Sequence, residues 1–220
     1  DPAYAKEISK YCNKILTVVR KKQWSIKNIL KTGFSLYPFL QVGHHSPEMK
    51  KLIEAELSEN KYDLIHAETF YIMQNIPKTT LPIVLTEHNV EYDVYKKWVD
   101  SFWFILLRPL LYLDILKLKF WEERYWSKAG KLIAVSDTDQ RTMESEIKTK
   151  VELVPNGVDF GYFSEIKKTE PKVPIVVFAG SFMWMQNKDA VFYLLKKLWP
   201  EIKIKMKGNV RLWIVGNNAK

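Results

Sequence analysis

This chain of 220 residues has a single cysteine, Cys12, so it can form no internal disulfide and offers no cysteine-based metal site. It has no Gly-x-Gly-x-x-Gly turn, no nucleophile elbow and no phosphate-binding loop ending in lysine. Charged residues interrupt every apolar run before it reaches the ~18–20 residues of a membrane-spanning helix. We interpret Cys12 as a small core residue of a protein in a reducing compartment.

Acidic residues are fewer than basic ones, and the net charge is +9. An excess of positive charge suggests an anionic partner, such as a nucleic acid, a membrane surface or a phosphate-bearing substrate. The lysines are spread along linkers and helix ends without an arginine-rich stripe or a nucleic-acid-binding motif, so no nucleic acid is expected. A content of 47% hydrophobic and 14% aromatic residues excludes disorder and supplies a sizeable core.

No side-chain cluster in the sequence indicates a metal site. Asp137 and Asp139 follow a strand pattern at a helix start, where we interpret them as caps rather than as a metal-binding aspartate pair. His44 and His45 are adjacent before a helix cap, and neighbouring side chains rarely share a metal, so we expect solvated loop histidines. The sequence therefore predicts no metal cofactor.

Strand and helix patterns alternate along the chain. Strands are predicted at 15–19, 62–67, 83–86, 132–135 and 151–154, with another in PIVVFAGS after Pro171. Helices are predicted at 3–11, 24–40, 47 to about 58, 70–75, 90–126 and 190–198. The third of these has a strong start signal, Ser46 as N-cap with Pro47 in the first position. This alternation predicts an α/β fold with a parallel sheet and right-handed crossovers.

A turn signal divides two strand–helix series. The stretch 151–159 reads VELVPNGVD, in which Pro155 fixes one dihedral angle while Asn156 and Gly157 tolerate positive φ. A sharp turn at this place is typical of a joint between two α/β domains, so Asn156 and Gly157 are candidate hinge residues.

The same residues resemble a known family. VPNGVD, then VVFAGSFMWMQNKDAVFYLLKKLWPEI and RLWIVG, with YDLIHAE and VLTEHNVEY upstream, resemble family 4 glycosyltransferases, and most nearly the sugar transferases of polysaccharide export systems. The resemblance implies the GT-B fold of two Rossmann-like domains. The family's glycine-rich loop would precede Asp1 and its paired glutamates would follow Lys220, so a partial chain, inactive alone, is expected.

The resemblance assigns three regions. Residues 1–160 would be the acceptor-side N-terminal domain, lacking its first strand and loop. Residues 161–171 would be an interdomain linker, and residues 172–220 would begin the nucleotide-sugar-binding domain.

Candidate site residues follow from the rule that ligands of open α/β sheets bind beyond the carboxyl ends of strands. The rule selects His66, Glu68, Glu87, His88, Ser136, Gly180 and Ser181. The resemblance implies that His88 reaches the donor sugar and diphosphate, although a histidine there could instead cap a helix. Glu68 and Glu87 are candidates for acceptor binding, and Glu68 could equally cap the next helix. His66 is interpreted as a core histidine.

The strand end at Gly180–Ser181 is a candidate diphosphate site, because exposed backbone N–H groups before a helix bind anions. Asn187 or Asp189 is predicted to cap the helix at 190–198, and Asn187 is included among the donor-binding residues.

The donor motif departs from the family. Many members have an arginine after this glycine and a lysine five residues later, whereas this chain has Ser181 and Gln186 there. Lys188 is nearby but not in the matching position, so the two-cation clamp on the diphosphate is in doubt.

The most apolar stretch, 102–126, has two interpretations. In the favoured one it is a helix packed on the sheet, with Trp121 and Trp126 buried and some exposure near Trp103. In the other it is a surface helix lying in a bilayer with basic residues at the headgroups. The second stays open because lipid-linked acceptors are common in the resembled family.

The resemblance implies transfer of a sugar from a nucleotide-sugar donor to a carbohydrate or lipid-linked acceptor. Transfer would retain the anomeric configuration and need no metal. The expected location is the cytoplasm, with peripheral contact at the inner face of the membrane as a further expectation. The alternatives are a non-catalytic GT-B-like interaction domain and a sugar-nucleotide epimerase of the same fold.

Overall fold

A computed structural model describes residues 6–165 and 170–217, which divide into two compact units. The first unit extends to Gly157 and the second begins at Val158. The first residues of the helix predicted at 3–11, and residues 166–169 of the predicted linker, lie outside the described residues. The assignment of the units to acceptor and donor stays a prediction.

The first unit is built on a parallel sheet of four strands in the order β1-β2-β3-β4. The strands are β1 Ile65–Glu68, β2 Ile83–Glu87, β3 Lys131–Ala134 and β4 Val151–Leu153. Every pair is parallel, which confirms the predicted α/β fold. Because parallel strands run in one direction, Glu68, Glu87 and Ala134 end at the same edge of the sheet.

Helices and short 3₁₀ segments flank this sheet. The helices are α1 Ile26–Gly33, α2 Phe39–His44, α3 Pro47–Glu59, α4 Glu91–Ser101, α5 Arg108–Trp126 and α6 Asp137–Glu146, and the 3₁₀ segments are Phe70–Asn75 and Ile105–Leu107. The start of α3 follows its sequence signal, since the Ser46 hydroxyl accepts from the Met49 N–H at 3.1 Å. Helix α6 is capped by Ser136, whose hydroxyl accepts from the Asp139 N–H at 3.1 Å, so the interpretation of Asp137 and Asp139 as caps is wrong. Local side-chain capping therefore sets where these helices begin.

The hydrophobic core lies between the sheet and the helices α4, α5 and α6. Its largest fully buried side chains include Trp126, Phe70, Leu85, Leu118 and Leu132. Within the described residues, no helix is both long enough and apolar enough to cross a membrane.

Three expectations about the first unit are wrong. Residues 15–19 form no strand, because β-branched composition favours extended backbone but pairing requires a neighbouring strand. Cys12 is exposed rather than part of the core. The helix predicted at 90–126 is two helices, because Pro109 fits in the first turn of α5, where its missing N–H is not needed.

The second unit contains a two-stranded parallel sheet of β5 and β6. Its elements are α7 Phe160–Ser164, β5 Ile175–Ala179, α8 Met185–Tyr193, a π-helical segment Leu194–Leu198, α9 Trp199–Lys205 and β6 Arg211–Val215. Gly216 has φ +142°, and a Cβ there would lie 1.7 Å from the Gly180 oxygen. Only glycine fits this approach between the ends of β5 and β6.

The joint between the units has no regular secondary structure between β4 and α7. Neither Asn156 nor Gly157 has positive φ, and residues 154–159 have no assigned turn, so the turn that the sequence signal indicated is not present. The boundary of the compact units nevertheless falls at Gly157. A hinge function for Asn156 and Gly157 stays a prediction.

Candidate functional site

Polar side chains from two neighbouring strands meet at the carboxyl edge of the first sheet. His66 and Glu68 alternate with the buried Ala67 along β1, so both project from the exposed face. Glu68 pairs in register with Thr86 of β2, which brings His88, two residues further on, beside it. The four-residue cluster of His66, Glu68, Thr86 and His88 is therefore produced by strand pairing.

Glu68 is the centre of this cluster. One of its oxygens lies 2.9 Å from His88 Nε2, and the other lies 3.4 Å from His66 Nε2. His66 Nε2 is also 2.7 Å from the Thr86 hydroxyl. Because Glu68 binds the Nε2 side of His88, it fixes the ring and leaves Nδ1 directed elsewhere.

The cluster is open to solvent. The side chains of His66, Glu68 and His88 are 49%, 53% and 46% exposed. The prediction that His66 is a core histidine is therefore wrong, because its side chain lies at the solvent-exposed end of the edge strand β1. Both rings direct nitrogens at the Glu68 carboxylate rather than at a shared centre. Across residues 6–165 and 170–217, no three His, Cys, Asp or Glu side chains are arranged to hold a metal ion.

Neither Glu68 nor His88 caps the helical segment that follows it. The 3₁₀ segment after β1 begins with no side-chain cap, and its preceding residue, Thr69, has φ +73°. This conformation is strained for a β-branched residue, and its N–H is held by the Thr86 carbonyl at 2.8 Å. Strain of this kind is often found at functional sites, and here it directly follows Glu68. Helix α4 likewise begins at Glu91 with no cap from His88.

Glu87 lies on the opposite side of β2 from the cluster and is fully buried. Trp126 Nε1 donates to its Oε1 at 3.0 Å. Burial raises the pKa of Glu87 well above its usual value, and the nearby Glu122 carboxyl raises it further. A carboxyl without exposed surface offers nothing to an acceptor, so we leave Glu87 out of the proposed site.

The loop that carries His88 is anchored on its far side by two carboxylates. Glu122 of α5 accepts from the backbone N–H groups of Glu91 and Tyr92, each at 2.8 Å. Asp139 accepts from the Val90 N–H at 3.4 Å. Since Val90 provides no side-chain cap, the buried Glu122 satisfies the first N–H groups of α4.

Sequence reasoning missed Glu122. The sequence did contain a signal for it. Glu122 follows Ile115 and Leu118 and precedes Trp126 at the three- and four-residue spacing of one helix face, and it is the single carboxylate on that apolar face. Ser136, which the strand-end rule selected, caps α6 and donates its hydroxyl to Asp139 at 2.5 Å. It therefore contributes to the anchoring of the His88 loop rather than to the cluster.

The donor candidates Gly180, Ser181 and Asn187 are brought together within the second unit. The Asn187 side-chain amide donates to the Ser181 carbonyl at 2.9 Å, and a Cβ on Gly180 would lie 3.0 Å from that amide nitrogen. Asn187 lies inside α8, which begins at Met185, so its predicted capping role is wrong. The Gly180 N–H donates to the Val215 carbonyl at 3.1 Å and is not free for a phosphate.

The buried pair Glu87 and Glu122 predicts a pH dependence of stability. Burial raises the pKa of both carboxyls, so the folded state holds protons that the unfolded state releases above about pH 4.5. The free energy of unfolding should therefore fall as pH rises from about 5 towards 8, by up to about 1.4 kcal/mol per pH unit for each proton. Urea unfolding of wild type and Glu87→Gln across this range measures the slope. An equal slope in the two proteins would contradict the assignment to Glu87.

One comparison with known proteins gives a match. The family model described as Glycosyltransferase Family 4 matches residues 15–161, about two thirds of the chain. No curated protein matches.

Proposed function

The chain belongs to glycosyltransferase family 4, a retaining family of the GT-B fold, and we propose that it transfers a sugar from a nucleotide-sugar donor to a carbohydrate or lipid-linked acceptor. The observation that supports this proposal is the cluster of His66, Glu68 and His88 at the carboxyl edge of a parallel sheet. That edge is where ligands of open α/β folds bind. The four-stranded parallel sheet with flanking helices agrees with the family's N-terminal Rossmann-like domain.

In the proposed mechanism, His88 stabilises negative charge on the departing diphosphate. Glu68 holds Nε2 of the ring, and a protonated imidazole can then donate from Nδ1 to a phosphate oxygen. A donor already oriented towards developing charge needs no reorganisation at the moment of transfer. No metal ion is needed for this step.

Further parts of the proposal rest on the family alone. We propose that Ser181 and Asn187, with the turn at Gly180, contribute to the donor site, and that Asn156 and Gly157 act as a hinge between the units. We also propose a hexosyl donor, a role in polysaccharide biosynthesis, and a cytoplasmic location with peripheral contact at the inner face of the membrane.

Replacing Glu68 distinguishes its two possible roles. If Glu68 orients His88, Glu68→Gln should lower kcat on the order of tenfold to a hundredfold with little change in the acceptor KM, because a misplaced ring loses its contact with the diphosphate. If Glu68 instead binds the acceptor, the acceptor KM should rise while kcat changes less. The assay uses the full-length protein with a panel of nucleotide-sugars.

Glu54→Gln is the matched control, since Glu54 is an exposed glutamate on α3, outside the cluster. It should leave both constants unchanged. Product analysis by NMR should show the anomeric configuration of the donor. Nucleotide-sugar binding without transfer to any acceptor would favour the interaction-domain alternative, and conversion of the donor to its epimer would favour the epimerase.

A further inference from the structure

Helix α5 is apolar on two opposite faces. One face packs in the core through Ile115, Leu118 and Trp126. The other is turned to solvent and consists of Leu110, Leu113, Leu116 and Phe120, all more than half exposed. The segment just before the helix adds three more exposed apolar side chains, Trp103, Ile105 and Leu106. Trp103 is 82% exposed. A helix of a globular protein normally presents polar residues on its solvent side, so this face needs a partner.

A second exposed apolar surface adjoins the first. Ile26, Ile29 and Leu30 of α1, with Phe34 and Leu36 in the turn that follows, are exposed, and Phe34 is 92% exposed. Lys117 Nζ donates to the Thr32 carbonyl at 2.8 Å, and Trp121 Nε1 donates to the Leu36 carbonyl at 3.0 Å. These bonds place the end of α1 beside the middle of α5. We call the exposed apolar residues of α1, its turn, 103–106 and α5 the outer face.

The charge that accompanies the α1 part of the outer face is basic. Helix α1, Ile26–Gly33, contains two lysines and no aspartate or glutamate. These are Lys27 and Lys31, and α5 adds Arg108 and Lys117. Lys119 of α5 is neutralised by Glu123 and Glu146, at 3.5 Å and 2.8 Å. The single carboxylate in the first three turns of α5, Asp114, accepts from the Phe39 N–H at 3.0 Å. A large apolar surface bordered by cations is complementary to an interface that has an apolar interior and an anionic outer layer.

We propose that the outer face docks on a bilayer containing anionic phospholipids. The leucines, Phe34 and Phe120 would enter the boundary between headgroups and acyl chains, with Trp103 at the level of the headgroups. Lys27 and Lys31 would lie near the lipid phosphates. A second copy of the chain fits less well, because a two-fold contact would bring the same cations together. The inference rests on the proposed function in one respect, that a lipid-linked acceptor would lie in the same bilayer.

Vesicle flotation tests the proposal with the wild-type chain. Phosphatidylcholine vesicles with and without phosphatidylglycerol are compared at low and high salt. Binding should require the anionic lipid and should fall as salt rises, because salt screens the lysine–phosphate attraction. Lys27→Gln with Lys31→Gln should weaken binding by about tenfold or more. Leu116→Ser with Phe120→Ser should weaken it by a similar factor, as should Trp103→Ser with Leu106→Ser.

Matched controls come from exposed residues of the second unit. Phe192→Ser with Ile204→Ser, and Lys203→Gln with Lys205→Gln, remove equal numbers of apolar and basic side chains and should leave binding unchanged. Circular dichroism checks that each variant is folded. Because there are two separate apolar variants of the outer face, the test still works if one of them does not fold.

Three results would overturn the proposal. The first is absence of binding to anionic vesicles at low salt. The second is an equal loss in the controls and in the outer-face variants. The third is that the wild-type chain binds no lipid but is a dimer in light scattering, and that Leu116→Ser with Phe120→Ser makes it a monomer. This result would assign the outer face to contact with a second copy. Flotation requires no turnover, so it can fail or succeed independently of the transferase assay.

Discussion

Replacing His88 with alanine is expected to lower turnover on the order of 10²–10³-fold, the loss typical of removing one preorganised hydrogen-bond donor. The physical reason is that His88 is held by Glu68 at 2.9 Å on one side while its loop is anchored by Glu122 and Asp139. A fixed imidazole can stabilise charge on the departing diphosphate without reorganising. Folding should change little, because the side chain is 46% exposed. The measurement is kcat of the full-length protein with its best nucleotide-sugar, together with thermal unfolding.

His66→Ala is the matched control in the same cluster. His66 contacts Glu68 and the Thr86 hydroxyl but lies two residues further from the strand end than Glu68. Its loss should therefore lower turnover less than the loss of His88. Because His66 is half exposed, its removal should also cost little stability. Near-normal turnover in His88→Ala would remove this residue from the mechanism.

Replacing Trp126 with alanine is expected to lower the free energy of unfolding by about 3–5 kcal/mol. Trp126 has no exposed surface and belongs to the core cluster beneath the sheet. Its removal would leave a cavity and would also leave the buried Glu87 without the N–H that donates to it. Since whole domains are stable by roughly 5–15 kcal/mol, this variant could lose a large part of its stability. Urea unfolding followed by circular dichroism measures the change.

Two further variants separate packing from hydrogen bonding. Trp126→Phe keeps most of the apolar volume but removes the indole N–H, so its cost, about 1–3 kcal/mol, reports mainly the unsatisfied Glu87. Trp103→Ala removes an indole that is 82% exposed and should change stability by less than about 0.5 kcal/mol. Equal losses in Trp103→Ala and Trp126→Ala would contradict the burial described for α5.

Some features of the fold could be predicted because they depend on neighbouring residues. Ser46 with Pro47 favours a helix start, since a hydroxyl that accepts a backbone N–H needs only local geometry. The apolar stretches at Ile83–Glu87 and Lys131–Ala134 are short and separated by helices, and such alternation favours parallel pairing. The family followed from the order of several motifs, and the position of His88 at a strand end followed from the parallel sheet.

The site itself required the tertiary structure. Alternation along each strand separates His66 and Glu68 from Ala67, and Glu87 from Thr86, but it does not say which side chains become buried. That choice exposed His66 and buried Glu87, the reverse of the sequence interpretation for each. The strand predicted at 15–19 failed for a related reason, since local preference cannot supply a pairing partner.

The sequence by itself determined the local starts of helices, the strand–helix alternation and the family. The tertiary structure alone decided that Glu68 joins two histidines, that Glu122 holds the first turn of α4, and that α5 presents a second apolar face to solvent. Each of these depends on residues brought together from distant parts of the chain. Capping and periodicity act within about one helical turn, whereas burial and contact depend on which elements pack together.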